Sequence, residues 1–352
     1  MGKSRATAAT AIMLTLASCA TSVPPAPSPP AAFAIPIFYA TNRNDTGAAT
    51  LIERFGAEPS ALSYGRVEIG IPADHRIGTI ETTSSWNIVA SDADESDFAI
   101  GPVTSLAPAT LLTALDAEVA KTDYAPILVF IHGFNNGFEG TLRRTAQLAA
   151  DLDWRGAVLA YAWPSRQAMF EFGADRSNAE ASAAPLRVFL QMLANRRGGG
   201  PIDIVAHSMG SRVLLLALAG MPQPQRPFDE IVLAAPEISR EEFLALAPRT
   251  IASARRVTLY ASDGDLPLML AAQLFGTPSA GDANGGPLLT PGIDSIDASA
   301  VSGDMLGHSY YGDSRAVLAD LHQLLNNGLG PAQRFGLRPR DVGEGRYWEL
   351  KP

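Results

Sequence analysis

The chain has 352 residues, of which 47% are hydrophobic and 18% are charged, and its formal net charge at pH 7 is −9. This composition is typical of a globular protein with a sizeable core and excludes a disordered chain. The acidic balance, without a cluster of lysine and arginine in the sequence, argues against a nucleic-acid partner.

The first residues predict a targeting signal. Lys3 and Arg5 precede a run of small and apolar residues, and Leu16-Ala17-Ser18-Cys19 matches a bacterial lipobox. Cys19 is the only cysteine in the chain and lies at the predicted cleavage site. The sequence therefore predicts that residues 1–18 are a lipoprotein signal peptide and that lipid is attached to Cys19. An ordinary secretory signal is the less favoured alternative.

The proline-rich residues 19–36 predict an extended tether between this lipid and a folded body. Ala20, rather than an aspartate, follows the cysteine. For a lipoprotein this implies sorting to the outer membrane, so we expect a lipid anchor in the cell envelope, on the periplasmic face of that membrane. No stretch of 18 apolar residues follows the signal, so no membrane span is expected in the mature body.

From residue 37 onwards the chain alternates predicted strands and helices. Short apolar runs predict strands at 37–40, 64–71, 127–131, 157–161, 202–205, 231–234, 256–260 and 293–298. Helical spacing of apolar residues predicts helices at 137–152, 176–196, 211–219, 239–247 and 314–325. The repeated strand–helix units predict an α/β fold over residues 37–330, with a mainly parallel, doubly wound sheet and helices on both faces. Residues 331–352 are predicted to be a C-terminal extension.

Two intervals between these elements bear on the cover of a site. The interval between the strands ending at Ala234 and beginning at Arg256 has room for one helix and not for a large cap domain. The glycine- and proline-rich residues 266–290 predict an irregular segment. This segment is either a partial cover over the site or a plain flexible insertion.

The segment Ala206-His207-Ser208-Met209-Gly210 joins a predicted buried strand to a predicted apolar helix. A serine on a sharp strand-to-helix turn is the nucleophile elbow of α/β-hydrolases, and the tight turn requires small residues around the serine. Ala206 stands where glycine is common in this motif and keeps the small size. The pattern predicts that Ser208 is a nucleophile at the carboxyl end of its strand, where α/β sheets place their sites.

A serine nucleophile needs a base to take its proton and an acid to orient that base. In α/β-hydrolases the three residues occur along the chain in the order serine, acid, histidine. His308 and His322 are the histidines after Ser208. His322 falls on the predicted final helix and His308 in the loop before it, which favours His308 as the base. Asp263 and Asp265 both follow a predicted strand. The glycine turn between them favours Asp265 as the acid, with Asp263 as a turn or capping residue.

An oxyanion hole needs two backbone N–H groups, one from the residue after the nucleophile and one from the loop after an earlier strand. These positions predict Met209 and Phe134. The histidines are dispersed and no glycine-rich phosphate loop follows a strand, so neither a metal nor another cofactor is expected.

The other histidines are predicted to have supporting positions. His207 is expected to pack beneath the elbow and His132 to brace the oxyanion loop, whereas His75 is expected to lie on the surface.

Taken together, several segments resemble a bacterial branch of the α/β-hydrolases that was long catalogued as a domain of unknown function and is now described as esterase- or lipase-like. The segments are His132-Gly133-Phe134-Asn135, Ala206 to Gly210, Leu259 to Ser262 with Asp265, Gly307 to Tyr311, Phe38 to Arg43, and Tyr64 to Ile69. The resemblance covers about residues 35 to 325. It implies the α/β-hydrolase fold and a serine hydrolase activity, and the acid of that branch matches Asp265.

The leading hypothesis is a lipid-anchored serine hydrolase that cleaves carboxylic esters, as small-molecule substrates, through a Ser208–His308–Asp265 triad and an acyl-enzyme. An acyltransferase or amidase would use the same triad, because the acyl-enzyme can react with water or with another nucleophile. A lipoprotein scaffold without catalysis is a third hypothesis, which the complete triad argues against.

Overall fold

The computed structural model describes residues 33–48, 50–80, 98–122, 124, 126–222, 226–301, 308–343 and 345–352. Cys19, the predicted signal peptide and most of the predicted tether lie outside the described residues. None of the helices in the described ranges is long and apolar enough to cross a bilayer.

The described strands form one sheet of twelve strands. They are β1 (Phe33–Asp45), β2 (Phe55–Ile71), β3 (Ala99–Ile100), β4 (Thr104–Leu106), β5 (Ile127–Ile131), β6 (Ala157–Ala162), β7 (Ile202–His207), β8 (Phe228–Ala234), β9 (Ala254–Ala261), β10 (Asp294–Asp297), β11 (Leu337–Val342) and β12 (Gly345–Leu350). The α-helices are α1 (Leu51–Arg54), α2 (Pro108–Val119), α3 (Phe138–Asp151), α4 (Phe172–Ala194), α5 (Met209–Ala219), α6 (Arg240–Ser253), α7 (Leu266–Phe275), α8 (Tyr310–Asp313) and α9 (Arg315–Asn327). Short 3₁₀ turns cover Met169–Glu171, Ser299–Val301 and Pro331–Gln333.

The strand order is β11-β12-β10-β9-β8-β7-β5-β6-β1-β2-β3, and β4 pairs with β2. The strands from β1 through β6, β5, β7, β8, β9 and β10 to β12 are paired in parallel, and antiparallel pairs occur at the two ends. The chain runs from β5 to one side and from β7 to the other, so the strand order reverses between these two strands. Sites in α/β sheets lie at this switch point, beyond the carboxyl ends of the strands.

Both faces of the central strands are buried, which explains why their sequences are continuous apolar runs. On β5, Ile127, Val129 and Ile131 pack in the core beneath α2, α4, α5 and α6. Leu128 and Phe130 point to the opposite face, into the core shared with α3 and α9. The predicted mainly parallel, doubly wound sheet with helices on both faces is therefore confirmed.

The predicted boundary of the tether at residue 36 is wrong, because β1 already begins at Phe33. Pro36 is part of this strand and pairs with Glu68 of β2. The parallel partner β6 joins β1 only from Ile37 onwards. A proline, which has no N–H to donate, is tolerated where a strand is paired on one side.

The C-terminal residues are part of the sheet rather than an appended extension. Strands β11 and β12 form an antiparallel hairpin, and β12 pairs with β10, where Ile296 lies beside Trp348. Their sequences are rich in charge and contain Pro339. Such residues are typical of an edge hairpin, but they lack the apolar runs that identified the central strands.

The segment 266–290 is not irregular throughout, because its first part forms α7. Pro267 lies in the first turn of this helix, where a proline is compatible with helical geometry. The helix ends at Gly276, which has a φ of 74°. The proline and glycine thus lie at the two ends of a helix, and the prediction of an irregular segment is wrong for residues 266–275.

Candidate active site

The elbow at Ser208 has the strained backbone that its position between β7 and α5 requires. Its φ is 51° and its ψ is −125°. The main-chain N–H donates to the carbonyl oxygen of Ala234 at 2.9 Å, and its carbonyl oxygen accepts from the N–H of Glu237 at 3.2 Å. A non-glycine residue with positive φ persists only when the surrounding structure holds it, and such residues cluster at functional sites.

Gly210 allows the first turn of α5 to lie against the end of β5. A Cβ atom added to Gly210 would lie 2.3 Å from the carbonyl oxygen of His132 and 2.7 Å from that of Ile131. Both contacts are with backbone, so no side-chain rearrangement would relieve them. The small residue of the motif is thus explained by close packing between helix and strand.

The structure brings together the three side chains that the sequence analysis selected. Nε2 of His308 lies 2.9 Å from Oγ of Ser208, and Nδ1 of His308 lies 2.9 and 2.8 Å from the two carboxylate oxygens of Asp265. A carboxylate at Nδ1 fixes the tautomer in which Nδ1–H donates and Nε2 accepts. Nε2 can then accept the hydroxyl proton of Ser208.

Asp265, and not Asp263, faces the histidine. Asp265 is buried, and its Oδ1 also accepts the N–H of Leu268 at 3.1 Å, which caps the start of α7. Asp263 is exposed in the turn before it and donates its own N–H to Oγ of Ser299. The bonds to Leu268 and His308 together hold the carboxylate of Asp265 in one orientation, whereas Asp263 makes neither contact.

His207 packs beneath the elbow, as predicted. Its ring is stacked on Tyr311 with centroids 4.3 Å apart and lies 4.7 Å from the ring of His308. Burial, followed by the neighbouring His308, lowers the pKa of His207 well below its usual range. His207 is therefore neutral and is not placed to take the proton of Ser208.

The loop after β5, residues 133–137, lies against the elbow, and we call it the oxyanion loop. A Cβ atom on Gly133 would lie 2.8 Å from Cβ of Ser208, so the backbone passes close to the nucleophile. Phe134 follows, and its ring contacts Phe172 of α4 at 5.2 Å. Within the described ranges, no main-chain carbonyl oxygen accepts the N–H of Phe134 or of Met209. Two donors are thus available beside Ser208.

His132 braces the start of the oxyanion loop. Its Nδ1 lies 2.7 Å from the carbonyl oxygen of Gly133 and its Nε2 lies 3.0 Å from that of Trp163, whose indole ring it stacks on. Burial, and then the charge of Arg43, lower the pKa of His132 to about 3. A neutral imidazole has one N–H, so His132 can donate to one of these carbonyls at a time.

The two remaining histidines lie away from this site. The prediction that His75 is a surface residue is wrong: its side chain is 12% exposed and its Nε2 lies 3.0 Å from Oδ1 of Asp151. His322 lies on α9, as expected, and lines a surface cavity with Trp154. In the part of the chain that the structure describes, no group of three or more histidine, cysteine or acidic side chains could hold a metal ion.

Three buried polar residues behind the oxyanion loop, Arg43, Ser165 and Asp175, were not predicted as part of the site. Arg43 and Ser165 each follow a predicted strand, which was the available signal. Arginine and aspartate are usually exposed, so nothing in the local sequence indicated their burial.

Comparison with known proteins assigns most of the sequence to a family. A family model described as "Alpha/beta hydrolase of unknown function (DUF900)" matches residues 107–327, which include Ser208, Asp265 and His308. No curated protein gives a significant match. One similar solved structure is titled "Crystal structure of a novel thermostable esterase from Pseudomonas putida ECU1011"; its identity is 13%, the match covers 62% of this chain and 88% of that chain, and the TM-score is 0.31. The family match, with the mainly parallel sheet, confirms the α/β-hydrolase fold.

Proposed function

Since the chain belongs to the DUF900 family of α/β-hydrolases, we propose that it is a serine hydrolase that cleaves carboxylic esters through an acyl-enzyme. The observation that carries the proposal is the continuous hydrogen-bonded chain from Oγ of Ser208 through His308 to Asp265. In this arrangement a histidine can remove the hydroxyl proton while the buried carboxylate stabilises the resulting imidazolium.

The first half of the proposed reaction forms the acyl-enzyme. Oγ of Ser208 attacks the ester carbonyl as Nε2 of His308 takes its proton. The negative charge that develops on the carbonyl oxygen is stabilised by the N–H groups of Met209 and Phe134 and by the amino end of α5. His308 then returns the proton to the leaving alcohol, and the carbon–oxygen bond of the ester breaks.

The second half releases the acid. His308 takes a proton from a water molecule, whose oxygen attacks the acyl carbonyl. Collapse of the second tetrahedral intermediate returns the proton to Oγ of Ser208 and restores the free enzyme. The same acyl-enzyme would pass its acyl group to an alcohol or amine if one replaced water, so product analysis separates hydrolysis from acyl transfer.

We also propose that the mature chain begins at an acylated Cys19 and is held to a membrane of the cell envelope. The support is the lipobox sequence that ends at this cysteine. Two or three acyl chains on one terminal residue anchor a protein stably, whereas a single chain binds only weakly.

The decisive experiment compares the full chain with its Ser208→Ala variant. We expect the unchanged chain to hydrolyse p-nitrophenyl esters and to react covalently with a fluorophosphonate probe. The variant should lose both, with kcat lower by about 10⁴- to 10⁶-fold. Undiminished labelling or turnover in Ser208→Ala would refute the proposed nucleophile. A series of acyl chain lengths would define the preferred ester.

A further inference from the structure

A buried arginine from the first strand contacts the oxyanion loop. Arg43, at the carboxyl end of β1, is 1% exposed. Its Nη2 donates to the carbonyl oxygen of Asn136 at 2.5 Å. Its Nη1 donates to the carbonyl oxygens of Gly56 and Ser165, each at 3.1 Å. One guanidinium therefore links the oxyanion loop to β2 and to the segment that follows β6.

Asp175 also contacts the oxyanion loop. It lies on α4, is fully buried, and accepts hydrogen bonds from the main-chain N–H of Asn135, from Oγ of Ser165 at 2.5 Å and from the N–H of Arg166 at 2.7 Å. Oγ of Ser165 in turn accepts the N–H of Asn136 at 3.3 Å. The main-chain N–H groups of Asn135 and Asn136 and the carbonyl oxygen of Asn136 are thus all hydrogen-bonded to this network.

This network contacts the loop at a residue with left-handed backbone. Asn135 has a φ of 59°, in the left-handed region that asparagine adopts more often than most other residues with a side chain. Phe134 precedes it directly, so the orientation of the Phe134 N–H depends on the geometry at Asn135. Contacts that fix Asn135 and Asn136 therefore also fix the direction of the proposed oxyanion donor.

Burying the charged side chains of Arg43 and Asp175 costs free energy of folding, so a reason other than packing is needed for charged residues at these positions. Burial lowers the pKa of Arg43 to about 9, and Nε of this side chain has no partner among the described residues. Replacing buried charges by apolar side chains often leaves stability unchanged or improves it. Rigid positioning of hydrogen-bond donors in the transition state is a benefit that an apolar core would not provide.

We propose that Arg43, Ser165 and Asp175 are positioning residues that hold the N–H of Phe134 towards the tetrahedral intermediate. The inference rests on the proposed serine hydrolase function and adds the first strand to its machinery. Arg43 lies outside the segment 107–327 that matches the family. None of the three side chains contacts the reacting atoms, so their effect on the reaction passes through the loop.

The test uses the full chain carrying Arg43→Lys. Lysine keeps the charge but cannot reproduce the fork of donors that reaches three carbonyl oxygens. We expect kcat per active site, counted by fluorophosphonate titration, to fall about 10- to 100-fold while KM changes little. The dissociation constant of a boronic acid, whose tetrahedral adduct occupies the oxyanion hole, should rise by a similar factor.

Two further variants keep the inference testable if Arg43→Lys folds poorly. Ser165→Ala removes a single hydroxyl between Asn136 and Asp175, and it should produce the same split between kcat and KM to a smaller degree. Arg54→Lys is the matched control. Arg54 is a partly exposed arginine whose Nε lies 2.6 Å from Oδ1 of Asp45. Asp45 lies on β1, two residues after Arg43. This control should leave both constants unchanged.

The outcomes separate the inference from the proposed function. A purely structural role for the network would lower the fraction of titratable sites or the melting temperature, while kcat per site and the boronic acid constant stayed at the unchanged chain's values. That result would overturn the inference and leave the serine hydrolase intact. Retained turnover in Ser208→Ala would instead overturn the function itself.

Discussion

Nε2 of His207 lies 3.0 Å from the carbonyl oxygen of His308. His207, the neighbour of Ser208 in sequence, thus contacts the main chain of the histidine whose ring faces Ser208. Because His207 is neutral, its Nε2–H can donate to this carbonyl. Nδ1 of His207 is then an acceptor, and it has no partner among the described residues. The contact fixes the backbone of His308 at the point where its ring must meet Ser208.

We expect His207→Phe to lower kcat by only about two- to tenfold, the effect of one lost hydrogen bond. Phenylalanine keeps an aromatic ring against Tyr311 and loses only the donor to His308. His308→Ala should cost several orders of magnitude, because it removes the proposed base. Steady-state kinetics of both variants on the same ester provide the measurement. Equal losses in the two variants would show that His207, and not His308 alone, takes part in proton transfer.

Asp265→Asn should lower kcat by several orders of magnitude, because an amide at Nδ1 of His308 no longer fixes the tautomer that accepts the serine proton. Asp263→Asn is the natural control, being two residues away, exposed and bonded to Ser299 rather than to His308. It should cost about tenfold or less. If Asp263→Asn were the inactive variant, the roles assigned to the two acids would have to be exchanged.

Gly210→Ala should destabilise the fold by roughly 1–3 kcal/mol and lower kcat, since the new methyl group would press on the backbone of His132 and Ile131. Gly173→Ala is the matched control. Gly173 lies in the first turns of α4 and a Cβ atom there would have no neighbour within 4 Å. Alanine should be neutral there or stabilise by up to about 1 kcal/mol. Urea unfolding measures both, and equal effects would contradict close packing at Gly210.

The stability of the chain should depend on pH through Asp203, a buried residue on β7 that accepts the N–H of Glu230 at 2.9 Å. Burial raises the pKa of Asp203 from 3.8 to about 8. Between these values the folded chain keeps a proton that the unfolded chain releases. The contribution of Asp203 to stability is therefore full below pH 4 and is lost as the pH rises to about 8.

Asp203→Asn tests this dependence, because asparagine has no proton to lose. The stability of the variant relative to the unchanged chain should rise by about 1.4 kcal/mol per pH unit between pH 5 and pH 8. Urea unfolding of both proteins at several pH values provides the measurement. A difference in stability that did not change with pH would show that Asp203 is already ionised in the fold.

Cys19→Ala should block lipoprotein processing and prevent lipid anchoring while leaving the activity on dissolved esters unchanged, because no proposed catalytic residue lies near Cys19 in the sequence. Membrane fractionation and mass spectrometry of the native N-terminus test this expectation. An unmodified cysteine, or a mature chain that starts beyond residue 19, would show that the lipobox interpretation is wrong.

The meeting of Ser208, His308 and Asp265 could be predicted because the choice of each residue depends on local sequence and on chain order. The elbow at Ser208 is one continuous motif, and the alternation of strands and helices identified the loops that carry Asp265 and His308. The supporting contacts could not be predicted in this way. Arg43 meets Asn136 across 93 positions of sequence, and His75 meets Asp151 across 76, so neither partner is visible from the neighbours of the other.

The edge strands were missed for a different reason. Residues of β5 face two cores and are apolar throughout, whereas β11 and β12 cover little and carry charged side chains on an exposed edge. A continuous apolar run identifies strands only where both faces are covered. The hairpin is identified by its pairing with β10, which is a property of the folded chain.

The first residue of β1 and Ser208 lie at opposite ends of the parallel strands. Because β1 runs parallel to β6, with Ile37 beside Val158, Phe33 projects past the amino ends of the strands while Ser208 lies beyond the carboxyl ends. Under the proposed anchoring at Cys19, the tether would therefore join the body on the side of the amino ends of the strands, and not on the side where Ser208 lies. A substrate would then reach the proposed nucleophile from the side of the body that the tether does not enter.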